Sequence, residues 1–376
     1  MKKMIYCDSA ASTPLDENVI AEMTAISSSI FGNPSSIHKF GQETKAVIER
    51  ARLSIANDLG CDLSEIIFTG CGSESNNIAL LGILKEGDHL ITSSYEHPAV
   101  LNIARNLEKI GVNVSYISPD NNGLIDPNHI ENEIKANTKL ISVMYVNNEL
   151  GTINPIDEIG AIARKNNILF HTDAVQIVGK EKINLNSQNI DLLSLSAHKF
   201  YGPKGVGALY LKNGINLTTT YFGGGQEKNL RPGTENVSGI HGMAIALNKS
   251  TKELSSWIET VNEYEDMFIN ELSNSKIKFI INGENRLPGI INITFIDILS
   301  ADLVMALDMD GYAISGGSAC SSGSAKPSAT LKEIGMDDEM AMRTVRISFG
   351  KNLTTQNIQG LSKSISNIIN DQTEKL

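Results

Sequence analysis

Lys199 and Asp173 are two charged residues placed where a protein could use them for chemistry. Lys199 lies in SLSAHKFYGPKGVG (residues 194–207), directly after an apolar strand pattern and before a loop rich in glycine and proline. Asp173 lies in ILFHTDAVQ (residues 168–176), also at the end of a predicted strand. Because α/β folds bind ligands at the carboxyl ends of their strands, we expect both side chains to reach one site.

The two residue types together match the needs of pyridoxal phosphate. A carboxylate at a buried strand end costs several kcal/mol to desolvate unless it meets a cation, and a protonated pyridine nitrogen is such a cation. A lysine amine forms a Schiff base with the aldehyde of this cofactor. Taken alone, Lys199 is more commonly a solvated surface charge and Asp173 a helix N-cap. The pair favours the cofactor.

Small and polar residues between a strand and a helix suggest a phosphate site. TGCGSESNN (residues 69–77) offers backbone amides at a helix start and the Ser73 hydroxyl, which can bind a dianionic phosphate. A plain helix N-cap is the alternative. His97, in SSYEHPAV after the next strand, could stack its imidazole on a planar cofactor ring. By itself, a histidine in this position is more often packed or capping.

Short apolar runs rich in β-branched residues alternate with helical periodicity along most of the chain. This pattern predicts an α/β fold with one large, mostly parallel sheet, because crossover helices make strands parallel. Helices are expected at Ser75–Leu84, His97–Lys109 and Pro155–Asn166. Seven strands are expected, at Glu65–Thr69, His89–Ser93, Asn113–Ile117, Leu140–Tyr145, Leu169–Thr172, Leu192–Ser196 and Gly207–Leu211.

The pattern changes after about residue 250. A long helix is expected over Lys252–Leu272, followed by INGENRLPGIINITF, DGYAISGGSACSSGSA and an amphipathic C-terminal helix from about Thr355. With 376 residues, the chain exceeds the length at which single cores stop growing, roughly 250–300 residues. We expect a large cofactor-binding domain over residues 14–250 and a smaller α+β domain built from residues 1–13 and 251–376.

The composition of the chain limits which classes of binding partner and which cellular location are expected. The 43 acidic and 32 basic residues give a formal net charge of -11, which disfavours a nucleic-acid or anionic-membrane partner. The N-terminus lacks the apolar stretch of a signal peptide, and no run approaches the ~18 apolar residues of a membrane span. Cysteines 7, 61, 71 and 320 show no metal-site spacing and are expected to be free thiols. These features predict a cytoplasmic protein without a metal site.

The chain resembles the cysteine desulfurases of the nitrogen-fixation and iron-sulfur-cluster type, which belong to the class V aminotransferases among the fold-type I pyridoxal-phosphate enzymes. The resemblance spans almost the whole chain. It is carried by YCDSAASTP, FGNPSSIH, EHPAV, VNNELGTINP, HTDAVQ, SAHKFYGPKG, GGGQEKNLRPGTEN, SGGSACSSGS and MRTVRISFGKNLT. One departure is Cys71, where the family usually has glycine, so its role is left open between a tolerated small residue and a site of oxidative damage.

The resemblance implies a role for each matching residue at the cofactor. Lys199 would form the Schiff base, Asp173 would pair with the pyridinium and Gln176 would donate to the phenolic oxygen. The residues implied to hold the phosphate are Gly72, Ser73, Ser196 and His198. Thr234, in RPGTEN, would complete the phosphate site of a neighbouring subunit, which implies a homodimer with active sites at the interface.

Substrate recognition has a separate physical argument. An amino-acid substrate carries a carboxylate, and arginine offers a planar, permanently charged, two-pronged donor for it. Arg346, in TVRISFG, matches the carboxylate-binding arginine of the family, and Asn148, in VNNE, matches an asparagine near the substrate and the ring. An interdomain or surface ion pair is the alternative for Arg346 in the absence of the motif.

Cys320 distinguishes sulfur chemistry from the other reactions that the cofactor supports. It lies in ISGGSACSSGSAKPS, among small residues and without the large apolar neighbours of a buried structural cysteine. A small residue in a flexible turn is the alternative. The resemblance implies that the Cys320 thiolate takes sulfur from L-cysteine as a persulfide, leaving L-alanine, with His97 as acid-base group for the substrate thiol. It also implies delivery of the sulfur to an acceptor or scaffold protein for iron-sulfur cluster or thiolation pathways.

Two other functions remain open at this point. One is a related class V enzyme, such as an aminotransferase or selenocysteine lyase, that works without a protein thiol. The other is a catalytically idle scaffold that binds sulfur-accepting proteins. The sequence decides neither the physiological acceptor nor the preference for cysteine over selenocysteine.

Overall fold

The computed structural model describes residues 4–316 and 326–373. Its strands are β1 (Ile5–Tyr6), β2 (Ile66–Thr69), β3 (His89–Ser93), β4 (Asn113–Ile117), β5 (Thr138–Ser142), β6 (Leu169–Asp173), β7 (Leu192–Ser196), β8 (Gly207–Leu211), β9 (Phe279–Asn282), β10 (Ile290–Phe295), β11 (Tyr312–Ala313), β12 (Ser315–Gly316) and β13 (Thr344–Ser348). The largest sheet has seven strands in the order β2-β8-β7-β6-β5-β3-β4.

This sheet confirms the predicted fold class. It contains all seven predicted strands, and β3, β4, β7 and β8 have the predicted bounds. Strand β8 runs antiparallel to both of its neighbours, whereas the other described pairings are parallel. The prediction for β5 was shifted toward the C-terminus, because residues 143–145 stay buried after the strand ends and their apolar character does not mark that end.

The helices are α1 (Glu17–Ser29), α2 (Lys39–Leu59), α3 (Gly72–Ile83), α4 (Pro98–Lys109), α5 (Pro127–Asn132), α6 (Ile156–Lys165), α7 (Val237–Lys252), α8 (Leu254–Asn274), α9 (Ser300–Asp310), α10 (Ala329–Glu333), α11 (Asp338–Ala341) and α12 (Thr355–Thr373). The helix predicted over 252–272 was placed slightly early, since α7 ends at Lys252 and α8 begins at Leu254. None of the described helices is long and apolar enough to cross a membrane.

Helices cover both faces of the large sheet, which explains its nearly continuous apolar strands. Successive strand residues point to opposite faces, so Leu192 packs in a cluster with Leu80 of α3 and Leu107 of α4. The next residue, Leu193, packs in the other cluster with Ile55 of α2. Because these strands are buried on both faces, their residues are mostly apolar, and the polar functional groups lie at the strand ends.

A second region is built on smaller sheets. Strands β12-β13-β10-β9 form an antiparallel sheet, and β1 pairs in parallel with β11. A separate apolar cluster joins this sheet to the helices, with Ile293 of β10, Phe268 of α8 and Ile365 of α12 among its members. The predicted division of the chain at residues 13 and 250 remains a prediction.

The N-terminal segment connects the two regions. Ser9 N–H donates to Ser348 O at 3.2 Å, at the end of β13, and Thr13 N–H donates to His198 O at 2.8 Å, beyond β7. The residues between them therefore pass from the smaller sheet to the carboxyl edge of the larger one.

Candidate active site

A cavity of about 440 Å³ lies at the carboxyl ends of β6 and β7. Residues from the starts of α3 and α4, from β13 and from the N-terminal segment complete its wall. The sequence predictions are brought together here, because the lining includes Gly72, Ser73, His97, Asn148, Asp173, Gln176, Ser196, His198, Lys199 and Arg346.

Lys199 ends a short 3₁₀ turn, Ala197–Lys199, which follows β7. Its Nζ donates to the carbonyl oxygens of Ala10 at 2.5 Å and Ala11 at 3.0 Å. These two carbonyls belong to the segment that crosses between the sheets, so the position of the amine depends on both regions of the molecule. An amine held at a cavity wall in this way is suited to Schiff-base formation.

Asp173 is the last residue of β6 and is only 7% exposed. Two neutral groups donate hydrogen bonds to its carboxylate: Asn76 Nδ2 at 2.7 Å and Val175 N–H at 3.0 Å. Neither of these two donors carries a positive charge that would offset the charge of the carboxylate. The site is therefore suited to a cationic ligand group such as a pyridinium.

The start of α3 provides the features of a phosphate site. Its N-cap residue, Cys71, makes no side-chain capping hydrogen bond, so no side chain of the cap occupies the first backbone N–H groups of the helix. A Cβ at Gly72 would lie 2.6 Å from Val175 Cγ2, so this position accepts only glycine without rearrangement. Uncapped amides at the positive end of a helix favour an anion.

His198 and Ser196 flank Lys199 beside this helix start. The Ser196 side chain is buried at the end of β7, and His198 Nδ1 lies 3.2 Å from Ser12 Oγ. Burial, with a further contribution from nearby lysines, lowers the pKa of His198 to about 4. His198 is therefore neutral near pH 7 and would meet a phosphate through a hydrogen bond, without a charge of its own.

His97 caps α4 and borders the cavity. Its Nδ1 accepts the Ala99 N–H at 3.0 Å, so the neutral ring carries its proton on Nε2. Burial lowers the pKa of His97, while Asp173 opposes that shift. The neutral imidazole is thus the form expected at neutral pH.

Glu96, the residue before His97, is a buried carboxyl group in the cavity wall that the sequence analysis did not single out. Its Oε1 accepts from Ser93 Oγ at 2.6 Å and from Met144 N–H at 2.7 Å. No described residue pairs with Oε2. Burial raises the pKa of Glu96 to about 8, so the group is a neutral carboxylic acid at pH 7.

Gln176 has a fixed orientation because of a buried lysine. Lys180 Nζ donates to Gln176 Oε1 at 3.2 Å, which leaves Nε2 as the side-chain donor; it contacts Ala10 O at 2.8 Å. Burial lowers the pKa of Lys180 to about 7. Lys180 therefore helps to present the amide N–H₂ of Gln176 at the cavity, where the sequence predicts a donor to the phenolic oxygen.

Arg346 lies in the middle of β13 and is 2% exposed. Its Nη1 donates to Asn148 O at 2.7 Å, and its Nη2 forms an ion pair with Asp8 Oδ1 at 2.7 Å. Among the described residues, Nε has no hydrogen-bond partner. The guanidinium is thus locked in orientation at the cavity wall while one of its donors remains unsatisfied.

Among the described residues, Thr234 is the predicted site residue that does not line this cavity. Thr234 is exposed in the segment after Gly233, and its contribution to another subunit remains a prediction. Cys320 lies outside the described residues. Among the described cysteines, burial raises the pKa of Cys7 and of Cys61 to about 12, which makes both poor nucleophiles. Cys71 is exposed in the cavity wall.

Sequence reasoning missed several groups that shape the site, namely Asp8, Asn76, Glu96, Glu149 and Lys180. Glu149 accepts hydrogen bonds from Ser328 Oγ and Thr330 Oγ1, at 2.5 and 3.0 Å. Glu96 directly precedes His97 in the quoted motif EHPAV, and a carboxyl group beside a predicted cofactor residue was the available signal. Asp8 lies in YCDSAASTP, but its partner Arg346 is far along the chain. The partners of Asn76, Glu149 and Lys180 depend on tertiary packing.

These residues fit pyridoxal phosphate. Lys199 would hold the aldehyde carbon, Asp173 the ring nitrogen, Gln176 the phenolic oxygen, and the start of α3 the phosphate. The buried Asp173 carboxylate with its two neutral donors and the uncapped start of α3 are the structural observations that support the fit. In residues 4–316 and 326–373, no group of three or more His, Cys, Asp or Glu side chains is arranged to hold a metal ion.

Comparisons with known proteins agree with this geometry. The family description "Aminotransferase class-V" matches residues 5–361. The chain is 44% identical to "Cysteine desulfurase IscS" of Dictyoglomus turgidum over 364 residues, which cover 95% of this chain and 92% of the relative. It is 41% identical to the protein of the same name from Clostridium botulinum, covering 100% of this chain and 96% of that relative.

A solved structure described as a "NifS-like protein" superposes with a TM-score of 0.91 at 33% identity, covering 98% of this chain and 100% of that one. The family match and the near-complete coverage of these relatives place the chain in the class-V aminotransferase family, among its cysteine desulfurases.

Proposed function

We propose that the chain is a pyridoxal-phosphate-dependent cysteine desulfurase, which converts L-cysteine to L-alanine and receives the sulfur as a persulfide on Cys320. One observation carries the proposal: a single cavity gathers Lys199, Asp173, the uncapped start of α3 and Arg346. The first three match, in turn, the aldehyde, the ring nitrogen and the phosphate of the cofactor. Arg346 matches the carboxylate of an amino-acid substrate. The names of the relatives supply the choice of cysteine as substrate.

The residues divide the work of holding and activating the substrate. When bound, pyridoxal phosphate supplies an electron-accepting ring that stabilises the charge left by removal of an α-proton. Arg346, with Asn148 beside it, binds and orients the substrate carboxylate. Lys199, whose Nζ is held at the cavity wall by two backbone carbonyls, takes the α-proton. His97 exchanges a proton with the substrate thiol.

Sulfur transfer is assigned to Cys320. Its thiolate attacks the substrate sulfur, and the new S–S bond forms as the Cβ–S bond breaks. Cβ then takes a proton, and Lys199 returns a proton to Cα, which gives alanine. Of the other thiols, Cys7 and Cys61 have pKa values raised to about 12 and are poor thiolates at neutral pH. A thiol that must remain reduced suits the cytoplasm, which is the proposed location.

A homodimer is part of the proposal. Large apolar side chains are exposed on two segments, with Phe31, Ile37 and Phe40 on one and Tyr221 and Phe222 on the other. The two segments lie near each other, as shown by the surface cavity that Pro34 and Gly225 line together. Exposed apolar groups of this kind favour contact with a second copy of the chain. Thr234 follows the second segment and would reach the phosphate of the partner copy.

The products of an incubation with L-cysteine test the proposal. The holoenzyme should form alanine with one persulfide per active site when no acceptor is present. Cys320→Ala should retain the visible absorbance of the bound cofactor but lose alanine formation. The Cys61→Ala variant, which removes a partly buried thiol outside the described cavity lining, serves as a control and should behave as the wild type.

Two results would redirect the assignment. Undiminished alanine formation by Cys320→Ala would indicate a class V enzyme that works without a protein thiol. A purified protein that neither binds pyridoxal phosphate nor consumes cysteine would indicate a scaffold. A sulfur-accepting partner protein, the last element of the proposal, should increase turnover when it is added to the holoenzyme and discharge the persulfide.

A further inference from the structure

Three consecutive residues in the segment before Thr234 adopt a backbone conformation that side chains disfavour. Glu227, Lys228 and Asn229 have φ values of 44°, 58° and 64°, in the left-handed region. Such residues cost of order 1–3 kcal/mol each and persist only where the surroundings enforce them. A turn of three in succession therefore requires strong local anchoring.

The Glu227 carboxylate supplies that anchoring. Its Oε1 accepts from Arg52 Nη2 at 2.7 Å, and its Oε2 accepts from Arg52 Nη1 at 2.9 Å and from Phe68 N–H at 2.7 Å. Arg52 also donates to Ile66 O at 2.7 Å, and its guanidinium lies 4.5 Å from the centre of the Phe68 ring. Both charged side chains are buried, so the turn is fixed directly to strand β2.

The rest of the segment is tied down nearby. Arg231 Nε donates to Glu74 Oε1 at 2.8 Å, and Glu74 Oε2 accepts the Gly70 N–H at 2.5 Å, in the loop between β2 and α3. Gln226 Oε1 accepts the Gly233 N–H at 3.0 Å. The residues from 226 to 233 thus form a clamped turn, and Thr234 is the next residue along the chain.

We propose that the buried Arg52–Glu227 pair is a positioning device, which holds this turn so that Thr234 is presented to the phosphate site of a neighbouring subunit. The inference rests on the proposed homodimer. Arg52 and Glu227 are positioning residues, since neither lines the cavity that contains Lys199. Their effect should therefore appear in the cofactor site of the partner copy and not in that of their own chain.

Mixed dimers test this directional effect, because Lys199→Ala leaves only one subunit able to bind the cofactor as a Schiff base. In the first arrangement, Glu227→Gln and Lys199→Ala are on one subunit and the partner is wild type. In the second, Glu227→Gln is on one subunit and Lys199→Ala on the other. The readout is the dissociation constant of pyridoxal phosphate, followed by the visible absorbance of the lysine-bound cofactor.

The first arrangement should bind the cofactor about tenfold more weakly than a dimer carrying Lys199→Ala alone, the scale of one lost charged hydrogen bond. The second should bind it normally. Arg52→Lys, which keeps the charge but loses the two-pronged contact, should show the same asymmetry. Glu49→Gln is the matched control, since Glu49 contacts Arg52 Nε at 3.4 Å from the more exposed side.

Equal weakening in both arrangements, or none in either, would overturn the inference. Thr234→Ala in the same two arrangements separates the possible failures. If Thr234→Ala is asymmetric and neither Glu227→Gln nor Arg52→Lys is, the positioning role is wrong and the homodimer stands. If Thr234→Ala shows no asymmetry, the proposed shared site is wrong, and the positioning role falls with it.

Discussion

The two sides of the cavity place their charges by different means. On the side of the large sheet, Asp173 and Lys199 stand at strand ends, and Asp173 is met by neutral donors. On the side of the smaller sheet, Arg346 projects from the middle of β13 and already pairs with Asp8 at 2.7 Å. Asp173 thus accepts hydrogen bonds from neutral groups, whereas Arg346 already has an ion-pair partner.

This difference matches two tasks. A cofactor that stays bound can keep a positive charge beside Asp173 throughout turnover. A substrate comes and goes in each turnover, and Arg346 would be a buried unpaired cation between turnovers without Asp8. In this cavity, the built-in partner of each charged residue therefore corresponds to how long its ligand stays bound.

Lys199→Ala tests the large-sheet side and should have the largest effect. It removes both the Schiff-base amine and the proposed proton acceptor, so alanine formation should fall by about 10³-fold or more. The visible absorbance of the lysine-bound cofactor should disappear with it. Lys204→Ala, an exposed lysine on the same loop, should leave both measurements unchanged. Retained turnover in Lys199→Ala would show that another group acts as the base.

Arg346→Lys tests the small-sheet side and should have a smaller effect. The ammonium keeps the ion pair with Asp8 but lacks the fork that binds a carboxylate in two places. The expected result is a loss in kcat/KM of about 100-fold, which corresponds to a few kcal/mol of charged hydrogen bonding. Cofactor affinity should remain normal. A loss of cofactor binding, with kcat/KM for the loaded fraction unchanged, would contradict the division of tasks between the two sides.

Glu96→Gln should leave activity near neutral pH unchanged and alter the pH dependence of stability. Burial raises the pKa of Glu96 from 4.5 to about 8, so the folded state holds a proton that the unfolded state releases between these values. Wild-type stability therefore falls as pH rises through this window, by at most about 1.4 kcal/mol per pH unit from this group.

The glutamine variant stays neutral and lacks this contribution. Its free energy of unfolding relative to wild type should increase from pH 5 to pH 8, as measured by urea denaturation. Glu43→Gln, on an exposed helix face, provides the control. A pH-independent difference between Glu96→Gln and wild type would show that Glu96 is ionised in the fold.

The sequence predicted the large sheet well because its strands are short apolar runs separated by helical periodicity. Strands β3, β4, β7 and β8 were found with the expected bounds. The end of β5 was misplaced, since burial continues beyond the last ladder residue. The antiparallel direction of β8 was not predicted either, because residues 200–206 are a connection whose course the local pattern does not determine.

Site residues could be predicted where the functional position is also the end of a strand or the start of a helix. Asp173 ends a strand, Lys199 follows one, and Gly72 and Ser73 begin a helix, so their neighbours in the sequence indicate their place. Asp8 could not be assigned in this way, because its meaning depends on Arg346, far along the chain. The same holds for Glu149, whose hydrogen bonds reach residues 328 and 330.

The identity of the cysteine that receives sulfur is the most direct test of the account. The holoenzyme is given L-cysteine for a single turnover, its thiols are alkylated, and the peptides that carry an added sulfur atom are identified by mass spectrometry. Cys71 is the internal rival, since it is exposed in the cavity wall. The account predicts added sulfur on the Cys320 peptide in both the wild type and Cys71→Ser. Alanine formation with the sulfur on Cys71, or with none on Cys320, would contradict it.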